Sequence, residues 1–329
     1  MNTFNNYWYY YHKLSIANRH VYNQILAGIR ECKNKIKVSS YPNNETVFKI
    51  TQYVLLDNPQ LFFIDSSKTE ILQFGKNKEV CLNYLYSPLV SKEMQLRIDI
   101  KVKEMLSSIV KINVADSEKE KHIYTKLIQA VKYNNRNLSN QNANNNIVGP
   151  LLNRLAVCEG YAKAFKYLCN SVNIPCVVVC GSAKTPPFDN SENHAWNIVK
   201  IDDAFYHVDS TWDSILDESD FFDYFNLSDR EICNDHEWDV ELLPACDKEF
   251  HTKQIIRTAK ELDVFVATQI SHGLSKFAIW FDMRIANETE ILNKISNAIN
   301  VAPHHFQNKV STIQLRYNKA QNKAVVNIN

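Results

Sequence analysis

The first third of the chain carries apolar residues at steps of three and four positions, which is the spacing of one face of a helix. Ser15 stands just before such a pattern, and its hydroxyl is a suitable helix cap. The apolar positions that follow it are Ile16, Tyr22, Ile25, Leu26 and Ile29. Similar spacing predicts helices over 44–56, 91–112 and from Ser117 onward, where Glu120 stands at capping-box distance from Ser117. Helices therefore dominate the predicted N-terminal part.

Two short apolar runs, 61–64 and 80–86, interrupt this pattern and favour strands. Residues 1–112 are thus predicted to form a mostly helical region with a small strand pair. The segment 134–146 has a different character, because eight of its thirteen residues are asparagine and few are apolar. It is predicted to be a loop, either a lid or a linker.

The pattern changes again in the middle of the chain. Residues 176–180 form a continuous apolar run, as expected for a strand buried on both faces, which makes Cys176 and Cys180 core candidates. Two further runs, HAWNIVKI and AFYHVDST, flank the dipeptide Asp202-Asp203, which favours a turn. They are predicted to pair as an antiparallel hairpin.

The last part of the chain alternates helix-like and strand-like segments. Its predicted elements are a helix over 253–270, a strand over 277–283, a helix over 288–300 and a hairpin of 311–317 with 323–328. This organisation predicts a small α/β domain over 248–329 that follows a central core over 113–247.

Composition excludes several classes of function. The 329 residues include 37 Lys+Arg and 36 Asp+Glu, a formal net charge of +1, so no overall field attracts nucleic acid or an anionic membrane. No apolar run approaches the ~20 residues of a membrane span, and no secretory signal is visible. We expect a soluble, cytoplasmic protein, or a secreted or cell-surface one if a leader was removed. The eight cysteines include no CxxC pair, which favours free thiols and predicts neither a metal nor another cofactor.

Cys158 is the first residue whose position suggests chemistry. It stands just before residues that fall on one helical face, namely Tyr161, Ala164, Phe165, Leu168 and Val172. Unpaired backbone N–H groups at a helix start favour a thiolate over a thiol and can stabilise an oxyanion. A cysteine before a helix is more often structural, so a catalytic interpretation depends on its partners.

The predicted hairpin supplies those partners. If its strands pair about the Asp202-Asp203 turn, His194 faces Thr211 and Trp196 faces Asp209. His194 and Asp209 then lie diagonally on one face within reach of each other, and a shift of one residue would separate them. A thiol, a base and a carboxylate that orients the base form the arrangement of a nucleophilic site.

Two other residues of the hairpin have less specific interpretations. His207 is predicted to pair with Ile198 on the face of Asp209, two rungs away, and to serve in packing. Trp196 is a candidate residue of the substrate site, where it shields the ion pair from water, or it fills the core.

Three motifs in this region carry a family resemblance. CEGYAKAF, HAWNIV and YHVDSTWD resemble the transglutaminase-like superfamily, particularly its bacterial members, whose motifs read Cys-x-Gly-Tyr-Ala, His-Ala-Trp-Asn and Asp-x-Thr-Trp-Asp. The resemblance covers residues 117–247 closely. It implies an α+β fold with a papain-like core, in which a helix carrying the cysteine packs on an antiparallel sheet carrying the histidine and the aspartate.

The resemblance also implies roles for single residues. Cys158 would be the nucleophile, His194 the general base and then acid, and Asp209 the residue that orients it, in acyl transfer through a thioester. The Cys158 N–H and an upstream side chain, Asn153 or Tyr133, would stabilise the oxyanion.

The superfamily includes peptidases, peptide N-glycanases, cross-linking enzymes and inactive members. Peptide N-glycanases carry CxxC pairs, and animal cross-linking enzymes carry β-sandwich domains and calcium sites; the sequence resembles neither. It predicts a cysteine-dependent peptidase or amidase acting on a peptide or protein. The alternative within the family is a protein-glutamine γ-glutamyltransferase, and the alternative from another class is a non-catalytic module that binds a peptide or glycan.

Overall fold

The computed structural model describes residues 7–110, 114–134, 141–184, 190–216, 221–250, 253–282, 288–301 and 312–329. Within these ranges the helices are α1 Tyr9–Lys13, α2 Ile16–Arg30, α3 Asn44–Asp57, α4 Pro88–Val110, α5 Asp116–Ala130, α6 Gln141–Asn144, α7 Cys158–Asn170, α8 Ser210–Ile215, α9 Asp229–Ile232, α10 Ala259–Ser271 and α11 Glu288–Asn300. The strands are β1 Lys35–Val38, β2 Glu70–Phe74, β3 Asn77–Cys81, β4 Lys132–Tyr133, β5 Leu155–Ala156, β6 Cys176–Lys184, β7 Ser191–Ile201, β8 Ala204–Val208, β9 Phe225–Leu227, β10 His236–Glu237, β11 Ile255–Ile256, β12 Lys276–Phe281, β13 Ile313–Asn318 and β14 Lys323–Ile328. None of the helices in these ranges is long and apolar enough to span a membrane.

The N-terminal helices follow the predicted pattern. Helix α2 begins after Ser15, whose side chain accepts a hydrogen bond from the Asn18 N–H, and α3 ends at Asp57. The predicted strand over 61–64 is wrong, because this segment is a turn with one isolated bridge, between Ile64 and Tyr84. The sheet here has the order β1-β3-β2. The predicted strand over 80–86 is right only at its start, because β3 ends at Cys81. Strands β1 and β2 carry exposed polar residues, and the sequence pattern did not predict them.

The capping box predicted for Ser117 and Glu120 is also wrong. Helix α5 begins one residue earlier, and Ala115 occupies the cap position without a side-chain hydrogen bond. Glu120 is buried, where its Oε2 accepts a hydrogen bond from Asn226 Nδ2 at 2.8 Å. Burial raises the pKa of Glu120 to about 8. This carboxyl is therefore a neutral core group rather than a cap.

The central sheet is antiparallel, with the order β10-β6-β7-β8-β9. Helix α7 packs on β6 and β7. The predicted fold class, a cysteine-bearing helix on an antiparallel sheet, is therefore confirmed. The hairpin register is confirmed as well, with Ile198 opposite His207 and Ile201 opposite Ala204. Both residues of the turn, Asp202 and Asp203, have positive φ angles of 46° and 64°, as a two-residue hairpin turn with the twist of the strands requires.

The prediction of two core cysteines in β6 is half right. Cys176 is completely buried, whereas Cys180 is exposed. The apolar run covers only the first part of the strand, which continues to Lys184 with residues that are exposed or half-buried, except for the buried Ala183. A run of this kind does not show where a longer strand leaves the core.

Three hydrophobic cores organise the described residues. One joins the N-terminal helices to the central sheet, and Tyr10 Oη donates to the Val178 carbonyl across it at 2.7 Å. The second lies around α5 and α7. The third lies between helices α10 and α11 and a sheet with the order β11-β12-β14-β13. This is the predicted α/β unit, although the predicted helix over 253–270 is wrong at its start, where Ile255–Ile256 form β11 and α10 begins only at Ala259. Arg316 and Lys323 of this unit form ion pairs with the buried Asp223. The domain limits at 112 and 247 stay predictions.

Candidate active site

Cys158 is the first residue of α7, as predicted. Its neighbour Val157 is the cap residue, and no side chain caps this end of the helix. The N–H groups of the first turn are therefore free of side-chain caps beside the half-buried thiol. A developing negative charge next to Cys158 would meet these donors.

The glycine of the Cys-x-Gly motif has a packing role. A Cβ at Gly160 would lie 2.1 Å from the backbone oxygen of Asn144. That oxygen also accepts a hydrogen bond from the Val157 N–H at 3.2 Å. Only glycine lets the end of the asparagine-rich segment pass this close to the helix that carries Cys158. Residues 135–140 of that segment lie outside the described residues.

His194 lies on β7, and it connects the cysteine to Asp209. Its Nε2 is 2.7 Å from Oδ2 of Asp209, and the two side chains are 9% and 0% exposed. Nδ1 is the ring nitrogen that remains for the Cys158 side chain, which lies near enough to act on the pKa of the ring. Burial opposes protonation of His194, but Asp209 and the Cys158 side chain outweigh it and raise its pKa to about 10.

Asp209 follows β8 directly and is the cap residue of α8. Its Oδ1 accepts hydrogen bonds from the N–H groups of Thr211 and Trp212 at 2.9 and 3.2 Å, which leaves Oδ2 for the histidine. The predicted pairings of His194 with Thr211 and of Trp196 with Asp209 are wrong, because β8 ends at Val208 and the chain turns into a helix at Asp209. Burial opposes the charge of Asp209, but His194 and a second histidine outweigh it and hold its pKa below the usual range.

That second histidine, His236, was not among the predicted site residues. Its Nε2 is 3.2 Å from Oδ2 of Asp209, and its Nδ1 is 2.6 Å from Oδ1 of Asp235. His236 lies on a two-residue strand at the edge of the sheet, opposite Ala183. So short an element has no periodicity, and the only signal in the sequence is the dipeptide Asp235-His236.

Trp196 is completely buried beside His194, and the two rings are almost parallel with centroids 5.9 Å apart. Its Nε1 donates to Nδ1 of His207 at 3.0 Å, and Nε2 of His207 is 2.8 Å from Oδ1 of Asp229. An indole N–H can only donate, so Nδ1 of His207 accepts and Nε2 carries the proton. Cys246 lies in the same cluster. The ring has no lone pair left for a metal there, so His207 has a structural role.

The two predicted oxyanion residues lie in different surroundings. Tyr133 is on β4, opposite Ala156 of β5, two residues before the cysteine. Burial raises the pKa of its phenol, and the nearby Cys158 adds to this effect. Asn153 is exposed at the end of a π-helical segment, and no hydrogen bond within the described residues connects it with Cys158.

A sequence model of the Transglutaminase-like superfamily matches residues 103–210, which include Cys158, His194 and Asp209. This core belongs to the transglutaminase-like superfamily. Kyphoscoliosis peptidase of Mus musculus is 26% identical over 141 residues, which are 40% of this chain and 21% of that protein. The Homo sapiens protein of the same name is 35% identical over 65 residues, which are 18% of this chain and 10% of that protein.

The matched part of this chain spans about a fifth or less of the length of these curated relatives. A solved structure described as a candidate cysteine protease, from Cytophaga hutchinsonii, is 17% identical and has a TM-score of 0.28. The match covers 44% of this chain and 61% of that chain.

Proposed function

We infer that this protein is a cysteine-dependent enzyme that transfers acyl groups from amide bonds of a peptide or protein. One observation carries the proposal. His194 forms a hydrogen bond with Asp209, with 2.7 Å between the histidine Nε2 and the aspartate Oδ2, and its ring lies close enough to the Cys158 side chain at the start of α7 for that side chain to raise its pKa. This is the order of nucleophile, base and orienting carboxylate that acyl transfer needs.

The arrangement supports a mechanism in two halves. His194 takes the Cys158 proton, the thiolate attacks the amide carbonyl, and the oxyanion lies at the first turn of α7. His194 then returns the proton to the departing amine, which leaves a thioester on Cys158. Water or an amine, deprotonated by the same ring, attacks the thioester and releases the acyl group with the thiol restored. Asp209 keeps the imidazole turned toward the sulfur throughout.

Hydrolysis is the reaction we propose, with water as the acceptor. The curated relatives are named peptidases, which supports hydrolysis over protein-glutamine γ-glutamyl transfer. A peptide or protein is the proposed substrate, and a bacterial type of peptidase or amidase in the cytoplasm stays the prediction. The other class of function, a peptide- or glycan-binding module without chemistry, requires an unreactive Cys158.

Alkylation tests the nucleophile against controls within the chain. Cys32, Cys180 and Cys233 are exposed, whereas Cys158 is partly buried. Brief labelling with iodoacetamide near pH 6 should modify Cys158 first, since only a thiolate reacts at an appreciable rate. Peptide mass spectrometry would measure the four sites together. Labelling of Cys158 no faster than the three exposed cysteines would contradict the proposal and favour the binding module.

The acceptor is tested with a peptide library and a primary amine. Cleavage, deamidation and amine incorporation change peptide mass by different amounts, so one mass-spectrometric experiment separates them. We expect cleavage or deamidation, abolished by Cys158→Ala. Amine incorporation as the main product would assign the enzyme to transamidation instead.

A further inference from the structure

His236 lies behind the candidate triad, and both of its ring nitrogens face carboxylates. Nε2 is 3.2 Å from Asp209 and Nδ1 is 2.6 Å from Asp235. The side chains of His236 and Asp209 are 0% exposed and that of Asp235 is 4% exposed. An ionised carboxylate only accepts hydrogen bonds, so a ring that serves two of them donates from both nitrogens. Burial opposes protonation of His236, but Asp209 and Asp235 outweigh it and raise its pKa, so the geometry favours the imidazolium form.

The second carboxylate is itself held in place. Tyr224 Oη donates to the other oxygen of Asp235 at 2.7 Å, and Asn318 Nδ2 of the C-terminal hairpin donates to the same hydroxyl at 3.3 Å. The rings of Trp212 and Tyr224 lie against the His236 ring, at centroid distances of 4.5 and 5.6 Å. Packing and hydrogen bonds thus prevent the ring from turning away.

The charge of His236 acts on the pair formed by His194 and Asp209. Oδ2 of Asp209 faces both imidazoles, whose ring centroids are 5.5 Å apart. Like charges at this distance repel each other, so a cation at His236 opposes proton uptake by His194. The same cation stabilises the ionised form of Asp209.

The remaining titratable neighbours leave this effect intact. Burial lowers the pKa of His207, so this ring is neutral. Burial also raises the pKa of the Tyr224 phenol, so this group is neutral as well. The charged groups that face the His236 ring are then Asp209, Asp235 and, when protonated, His194.

We propose that His236 is a positioning residue of the active site, whose protonated ring holds Asp209 against His194 and sets the pH range in which Cys158 and His194 stay an ion pair. The role rests on the proposed function, because it presupposes a reactive Cys158. It also makes the C-terminal hairpin part of the support of the site, through Asn318, Tyr224 and Asp235.

The charge state is measured directly by NMR of the full chain with nitrogen-15 labelled histidine at pH 7.5. We expect both nitrogens of His236 to carry protons. His207 serves as the control in the same spectrum, because its Nδ1 accepts from Trp196 and should be unprotonated. The variants His236→Gln and His207→Gln assign the two sets of signals. An unprotonated nitrogen on His236 would overturn the proposal.

The effect on the site is measured with iodoacetate, an anion that reacts fastest with Cys158 while His194 carries its proton. Short labelling pulses between pH 6 and 10.5 give a rate that falls on the alkaline side as His194 loses that proton. In His236→Gln the pH at which the rate falls should be higher by about one unit, because the cation that repels a proton on His194 is gone. His207→Gln, which removes the other buried histidine beside Trp196, should leave it unmoved.

A second variant covers the case in which His236→Gln does not fold. Asp235→Asn keeps the ring but removes one carboxylate, so His236 gives up its proton more readily. The pH at which the labelling rate falls should therefore rise, as in His236→Gln. An unmoved fall in the folded variant overturns the positioning role alone. A wild-type Cys158 that reacts as slowly as Cys32 and shows no alkaline fall overturns the proposed function and this role together.

Discussion

Two histidine–aspartate pairs lie on either side of Trp196. His194 and Asp209 are 2.7 Å apart, and His207 and Asp229 are 2.8 Å apart, in each case between Nε2 of the ring and a carboxylate oxygen. Both histidines are on the same hairpin and both are largely buried. The pairs differ in what faces the other ring nitrogen.

That nitrogen decides what each pair can do. In His194 it remains for the Cys158 side chain, and the ring accepts a proton readily, with a pKa raised to about 10 despite burial. In His207 it accepts the Trp196 N–H, and burial lowers the pKa so that the ring stays neutral. A His–Asp pair is therefore a candidate base only where its second nitrogen meets a group that can give up a proton.

The largest difference between the two pairs is expected in turnover, when the thiol or the ring of the first pair is removed. Cys158→Ala and His194→Ala should each lower turnover by at least about 10³-fold, because nucleophile and base act as a unit. His207→Gln should stay within about ten-fold of wild type, since its ring touches no reacting group. Turnover of a peptide identified in the library experiment measures all three, with circular dichroism to confirm folding. Full activity of Cys158→Ala would contradict the proposed mechanism.

The two carboxylates should differ almost as strongly. Asp209→Asn should lower turnover by roughly 10²–10⁴-fold, because an amide cannot stabilise the imidazolium form of His194. Asparagine still caps a helix, so the start of α8 should be retained.

Asp229→Asn is the matched control for this substitution. It should reduce the free energy of unfolding by about 1–2 kcal/mol with little change in turnover. Equal losses of turnover in the two variants would show that the pairs do not differ in function.

The smallest effects concern the pH dependence of stability, which should have opposite signs at the two histidines. The raised pKa of His194 contributes stability that is present below about 6.5, its unfolded value, and is lost as pH rises toward about 10. The lowered pKa of His207 contributes stability that is present above that value and is lost as pH falls below it.

Chemical denaturation of the wild type, His194→Gln and His207→Gln at pH 5, 7 and 9 measures these signs. The stability gap between wild type and His194→Gln should narrow toward pH 9, and the gap for His207→Gln should narrow toward pH 5. Gaps that change in the same direction for both variants would show that the two rings are in similar protonation states.

The hairpin shows how far the sequence alone leads. The turn at Asp202-Asp203 sets the register, and the register puts His194 and Asp209 on a diagonal, so their proximity follows from local rules. The same rules predicted a strand as far as Thr211, which is wrong. Asp209 caps helix α8 with one carboxylate oxygen, so the strand ends before it. Local patterns do not show that the side chain of a strand-like residue caps a helix and so ends the strand. They also placed Glu120 in a cap, whereas helix phase turns it into the core.

The sequence by itself determined the helix start at Cys158, the hairpin register and the order of the three motifs, because each depends on residues close together in the chain. Only the tertiary structure decided which histidine meets the thiol and which is satisfied by Trp196, and only it brought His236 onto Asp209 from 27 residues away. The physical reason is that a ring nitrogen takes its role from whatever fills the space beside it, and in a packed core that neighbour comes from any part of the chain.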